Sequence, residues 1–263
     1  MRAEAAEGEE GGLVCANCGS PLLEEDEECT VCGGGLAPAP SEEVPAEPVE
    51  MTPESRRLHY IEIALVLGVA FLLPVIYSLM YWLGNAKLSA ETAFDALRRI
   101  IDAALAISVL AYVLYWQGRS LRRIGLTFRK TDLFWTVAIW FFDRLITSAI
   151  YQNIHGFATP KHVPAGYGGP LQWLAVIPGA AHEELIVRAF LMTEVAELSG
   201  SWAVAVFVSV GFQTLYHLYL GVPAALTVAG GFFVSAVFYA STRRITPVIL
   251  AHSLHNFYYL SRL

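Results

Sequence analysis

The chain has 263 residues, 55% of them hydrophobic and 16% charged, with a formal net charge of −7 at pH 7. Its acidic residues crowd the N-terminal stretches "AEAAEGEEGG", "LEEDEE" and "SEEVPAEPVE", so the net charge describes that region and not the rest. No nucleic-acid partner is expected, and the apolar runs that recur beyond Arg57 exclude an ordinary water-soluble domain.

The first predicted module spans residues 1–36. Its sequence "CANCGSPLLEEDEECTVCGGG" holds Cys15, Cys18, Cys29 and Cys32 as two C-x2-C pairs, each followed by a glycine, Gly19 and Gly33. Two tight knuckles of this kind can bring four thiolates around one zinc ion in a tetrahedron, the arrangement of a zinc ribbon. The alternative, two disulfides, needs an oxidising compartment. It would also close very small loops, whereas metal binding supplies folding energy that so small a core lacks. Four cysteine ligands leave no open position on the metal, so the ribbon is expected to be either structural or an adaptor that could take a protein partner. Residues 37–58, "LAPAPSEEVPAEPVEMTPES" and its flanks, read as an acidic, proline-rich linker that tethers without fixing orientation.

Residues 59–263 read as an all-α polytopic membrane bundle of about seven to eight helices, with the lipid bilayer as its solvent. The opening run, "HYIEIALVLGVAFLLPVIYSLMYWLG", follows a long acidic segment and lacks the short core and cleavage site of a secretory signal, so no removal is expected. Apolar length and polar interruptions place spans at 59–83, 100–117, 132–152, 170–198, 203–220, 223–241 and 245–261. The segment "NAKLSAETAFDALRR" either continues the second helix outward or lies along the interface. Arg56 and Arg57, the group Arg119, Arg122, Arg123, Arg129 and Lys130, and Arg243 with Arg244 fall on one side if the N-terminus is cytoplasmic. Pro74, Pro178 and the pair Gly230–Gly231 allow kinks and close helix approach.

Ionisable groups at membrane depth are costly without a partner or water, which makes each one a functional candidate. In "AHEELIVRAFL", Glu184 and Arg188 are four apart and can form an ion pair. Glu183 lies about 100° around the helix from Glu184. It is therefore free to act as a base, unless both glutamates merely satisfy Arg188 and Arg144. His217 falls in the run "GFQTLYHLYLG", and "ILAHSLHNFYYL" sets His252 and Asn256 on one face with His255 close by. Two donors four apart can converge on one oxygen, as an oxyanion requires. Of the other histidines, His59, His155 and His162 are expected to be solvated, while His182 and His255 adjoin the candidate site and could tune it.

Three motifs together resemble the CPBP intramembrane proteases (CAAX-prenyl protease and bacteriocin-processing, or Abi, family). "EELIVR" matches E-E-x-x-x-R, "FQTLYH" stands where F-x-x-x-H belongs, and "HSLHN" matches H-x-x-x-N. The resemblance runs from about Leu121 to the C-terminus and leaves the ribbon outside. It implies that Glu183 activates a water with His217 beside it, that His252 and Asn256 stabilise the oxyanion, and that Glu184 and Arg188 support the site. The implied activity is hydrolysis of a peptide bond in a membrane-associated substrate, with no catalytic metal required. The chain departs from the family pattern at Gln213, where phenylalanine is usual, and at Ala189, where glycine is common. Alternatives remain at this stage: a metal held by Glu183, His217 and His252, a non-proteolytic scaffold or bacteriocin-immunity protein, and a proton-relaying transporter.

Overall fold

The computed structural model describes residues 13–14, 21–22, 52–84, 93–154 and 169–261, in two units, Met1–Met51 and Thr52–Leu263. In the first unit, strands β1 (Leu13–Val14) and β2 (Pro21–Leu22) pair antiparallel, Leu13 opposite Leu22 and Val14 opposite Pro21. The expected zinc ligands Cys15, Cys18, Cys29 and Cys32 lie outside the described residues, as do His155 and His162.

The second unit is helical. It contains α1 (Pro53–Trp82), α2 (Ala93–Trp116), α3 (Asp132–Ile154), α4 (Pro170–Glu183), α5 (Leu191–Ser199), α6 (Trp202–Tyr216), α7 (Val222–Thr242) and α8 (Thr246–Leu260). A π-helical stretch, Glu184–Phe190, joins α4 to α5 without a break, so the described residues form seven continuous helical runs. α1 starts earlier than apolar length alone suggests. The Thr52 hydroxyl accepts from Ser55 N at 3.2 Å and Pro53 occupies the first turn, where its missing N–H costs nothing. Among the described residues α2 begins at Ala93, so residues 93–99 of the segment before the second span belong to that helix.

α1, α3 and α7 are long and apolar enough to cross a bilayer by length and composition. The outward faces agree, with Leu73 and Phe207 each 70% exposed and Phe134 68%. Large apolar side chains standing free around a helical bundle are a lipid-facing surface. Within the bundle, α3 runs along α7 and α8, α4 packs on α2 and α8, and α6 lies between α5 and α7 with α1 across it. The Gly230–Gly231 pair allows α3 and α7 to approach closely, as the sequence predicts. A Cβ on Gly230 would come within 2.6 Å of Ile150, and one on Gly231 would meet the Asp143 carboxylate.

One end of the bundle is tied by ion pairs. Arg119 binds Glu194, Arg123 binds Glu197, and Arg244 binds Asp132, linking the turn after α2, α5, the α7–α8 turn and the start of α3. His59 belongs to this network and is not solvated. It is 6% exposed, with Nδ1 2.5 Å from Glu194 Oε2 and Nε2 3.3 Å from Arg119 Nη2. A histidine one turn into a helix reads as a surface residue only until a neighbouring helix covers it, and here α5 does. Among the described residues, the His, Cys, Asp and Glu side chains whose ligand atoms converge within 4.8 Å are His59, Glu194 and Glu197. Arg119 and Arg123 already supply the positive charge there.

Candidate active site

Glu183 and Glu184 stand at the junction between α4 and the π stretch, and the junction separates them. Glu184 points inward and is 2% exposed, while Glu183 is half-buried. Arg188, fully buried, faces Glu184 with Nε 3.6 Å from Oε2. The i to i+4 pair foreseen from the sequence is therefore a charge pair and not a hydrogen bond, because the wider π winding rotates the fourth residue out of the usual stacking. Arg188 Nη2 instead donates to Phe232 O on α7 at 3.2 Å, and the guanidinium lies over the Phe232 ring. The π stretch is also held from outside. Ser209 on α6 donates to Val187 O at 3.0 Å, and Tyr239 on α7 donates to Ala189 O at 3.2 Å. Such π-helical interruptions occur frequently at functional sites.

Glu183 has partners of its own. Gln213 Nε2 donates to its Oε2 at 3.2 Å and the Tyr216 hydroxyl donates to the same oxygen at 3.0 Å. Both come from α6, where they sit three apart on one face. Both donors land on Oε2. The Gln213 departure from the family pattern is thus a contact with the central carboxylate. Arg144 takes no part, since its Nη1 donates to the Tyr259 hydroxyl at 2.6 Å and its guanidinium lies over the Tyr258 ring. The alternative in which Arg144 neutralises a glutamate is corrected: α3 turns it toward Tyr258 and Tyr259 of α8.

His217 caps the C-terminal end of α6. Its Nδ1 is 2.8 Å from Gln213 O, a carbonyl left without a helical partner where α6 ends. A carbonyl only accepts, so the ring proton sits at Nδ1, and Nε2 of the neutral ring is an acceptor. His252 reaches the site from α8, with Nδ1 2.8 Å from Glu184 Oε1. By the same reasoning a neutral His252 cannot donate through Nε2, so an oxyanion role requires the doubly protonated ring, which the adjacent Glu184 carboxylate stabilises. His217, His252 and His182 all lie within electrostatic reach of Glu183, and Asn256 is half-buried one turn beyond His252.

An aromatic wall closes one side. Phe71 of α1 stacks on His182 (4.9 Å between centroids) and on Tyr216 (4.8 Å), with Phe212 edge-on at 5.6 Å. Glu184 Oε2, Arg188 Nε and Nη1, Gln213 Oε1 and His182 Nε2 are buried without a protein hydrogen bond.

The bundle thus gathers one free carboxylate and two imidazoles from α4, the end of α6 and α8. Residues 167–258, which carry all three motifs, match the family described as "Type II CAAX prenyl endopeptidase Rce1-like". The match covers the three motifs that carry the resemblance to the CPBP (Abi) intramembrane proteases. No curated protein and no solved structure matches the chain.

Two groups at the site escaped the sequence reading, Tyr216 and Asp143. Tyr216 adjoins His217 in "FQTLYH", so its position was visible but its direction was not. Removing its hydroxyl by Tyr216→Phe keeps the stack on Phe71 and deletes one of the two donors to Glu183. A hydrogen bond to a charged group is worth about 1.5–3 kcal/mol. Cleavage should therefore slow by roughly 10- to 100-fold with little change in KM, as steady-state kinetics in liposomes would read. An unaltered kcat would show that Gln213 alone suffices to hold the carboxylate.

Proposed function

We propose that this membrane protein is an endopeptidase that hydrolyses a peptide bond of a membrane-associated substrate with a water activated by Glu183. The observation that carries the proposal is the division of labour between adjacent glutamates. Glu184 is consumed by Arg188 and His252, while Glu183 is held at one oxygen by two neutral donors and keeps the other for water. In this reading water gives a proton to Glu183 with His217 Nε2 as a second acceptor beside it. The resulting hydroxide adds to the scissile carbonyl. The oxyanion falls to protonated His252 and the Asn256 amide, and Arg188 and Glu184 keep α4, α7 and α8 in register. The chemistry passes through no acyl-enzyme.

The test compares wild type with a Glu183→Ala variant on a library of membrane-anchored peptides in liposomes. Cleavage by wild type alone is the expected result. Equal processing by both would sink the mechanism and leave a scaffold of the same fold. A chelator arm, run on a chain lacking the ribbon cysteines, separates a metal-assisted reaction, because only that reaction would stop.

For the N-terminal unit we infer one structural zinc, held by Cys15, Cys18, Cys29 and Cys32. The paired strands β1 and β2 bracket the first C-x2-C in sequence, and four thiolates suit zinc. Metal analysis should find about one zinc per chain, lost in a Cys15→Ser, Cys18→Ser double variant; an unchanged content would refute the assignment. Arg119, Arg123 and Arg244 meet at the end of the bundle where α1 begins, which supports a cytoplasmic N-terminus under the positive-inside rule.

A further inference from the structure

A second, half-buried acid–base pair lies beside the site, and the mechanism above does not use it. His255 Nδ1 is 2.6 Å from Asp143 Oδ2, joining α8 to α3 near the middle of both helices. Asp143 is seated deliberately. Its Oδ1 rests against the backbone of Gly231, where a Cβ would come within 1.9 Å of it, so only glycine admits the carboxylate. The neighbouring residue on α7, Phe232, gives its carbonyl to Arg188 and its ring to His217 at 4.9 Å between centroids. The dipeptide Gly231–Phe232 therefore touches the second pair through one residue and the main site through the next. On α8, His255 stands one turn beyond His252 and directly precedes Asn256. A carboxylate and an imidazole at membrane depth cost too much to be idle packing.

The pair repeats an arrangement already present. Each histidine of α8 is gripped at Nδ1 by a carboxylate from another helix, His252 by Glu184 and His255 by Asp143. This grip holds each ring in one orientation and leaves Nε2 to transfer a proton. Hydrolysis of an amide needs such a group, because the amine cannot depart as an anion.

We propose that His255, oriented by Asp143, protonates the departing amine of the substrate. The inference rests on the peptidase reading above and deepens it. Water gives one proton to Glu183, and its hydroxide adds to the carbonyl carbon. The C–N bond then breaks with its electron pair going to nitrogen, which takes the proton from His255 Nε2. Of the two remaining protons, on Glu183 and on the new acid, one restores His255 and the other converts the amine to ammonium. Asp143 is a positioning residue that acts only through His255.

The experiment uses a peptide that wild type cleaves and the same sequence with the scissile amide replaced by an ester, both in liposomes. An ester expels an alkoxide or alcohol and depends far less on an acid. His255→Gln should lower kcat on the peptide by about 100-fold while leaving the ester within about threefold. The isosteric Asp143→Asn, which preserves the seat against Gly231, should show the same selectivity with a smaller loss. Unfolding midpoints in detergent accompany each variant. Peptide cleavage at the wild-type rate by His255→Gln, or an equal loss on peptide and ester, would overturn the inference and reduce the pair to a helix tie. Failure of the peptidase reading looks different: wild type and Glu183→Ala would then treat both substrates alike, and both proposals would fall.

Discussion

Glu183→Gln should abolish most of the proteolytic activity while leaving the bundle folded. The amide has the shape of the carboxylate and its oxygen still accepts from Gln213 and Tyr216, so the local hydrogen bonds survive. What disappears is the base. Losing a positioned general base costs roughly 10²- to 10⁴-fold in rate, or about 3–5 kcal/mol of barrier. The fold should change little, because Glu183 is half-buried and its contacts are with neutral donors. Initial rates in liposomes, with an unfolding curve in detergent, separate the two effects. A variant that cleaves at the wild-type rate would remove Glu183 from the chemistry.

The opposite signature is expected one residue on. Arg188 and Glu184 are 0% and 2% exposed and share one charge pair, with Phe232 O and His252 as their other partners. Arg188→Ala strips Glu184 of its buried counter-charge and leaves the Phe232 carbonyl without its donor. Breaking a buried pair by removing one partner typically costs about 3–5 kcal/mol, so the variant should unfold far more readily in detergent. Glu184→Ala should cost a similar amount. A joint Glu184→Leu, Arg188→Met replacement should recover much of the stability, because well-packed apolar residues avoid the desolvation penalty altogether. It should not recover activity, because His252 would have lost the carboxylate that holds its ring. If both single variants unfold like wild type, the pair is not what satisfies these charges.

The predicted spans follow the observed helices to within a few residues except at the starts of α1 and α2. The physical reason is that twenty or so apolar residues between polar interruptions admit one structure in lipid, where backbone groups must bond within the helix. The start of α1 shows the limit. Apolarity begins at His59, but the helix begins at Pro53, because the Thr52 cap and the proline set the end independently of hydropathy.

Which polar residues exist, and at what spacing, was fixed by the chain itself: two adjacent glutamates with an arginine four on, a histidine in the fifth run, and a histidine with an asparagine in the last. Helical periodicity could even separate Glu183 from Glu184. It could not foresee the π stretch, since nothing in "ELIVRAF" breaks an α-helix locally and the carbonyl partners Ser209 and Tyr239 arrive from other helices.

Partnerships across helices were decided only in three dimensions. Residues in contact but far apart in sequence leave no local trace, which is why Tyr216 and Gln213 on Glu183, Glu184 on His252, Asp143 on His255 and Glu194 on His59 all had to be found in the fold. Hydropathy sets which segments lie in the bilayer. Close packing among α3, α6, α7 and α8 then determines which buried charge meets which partner, because at that depth every charge must find one.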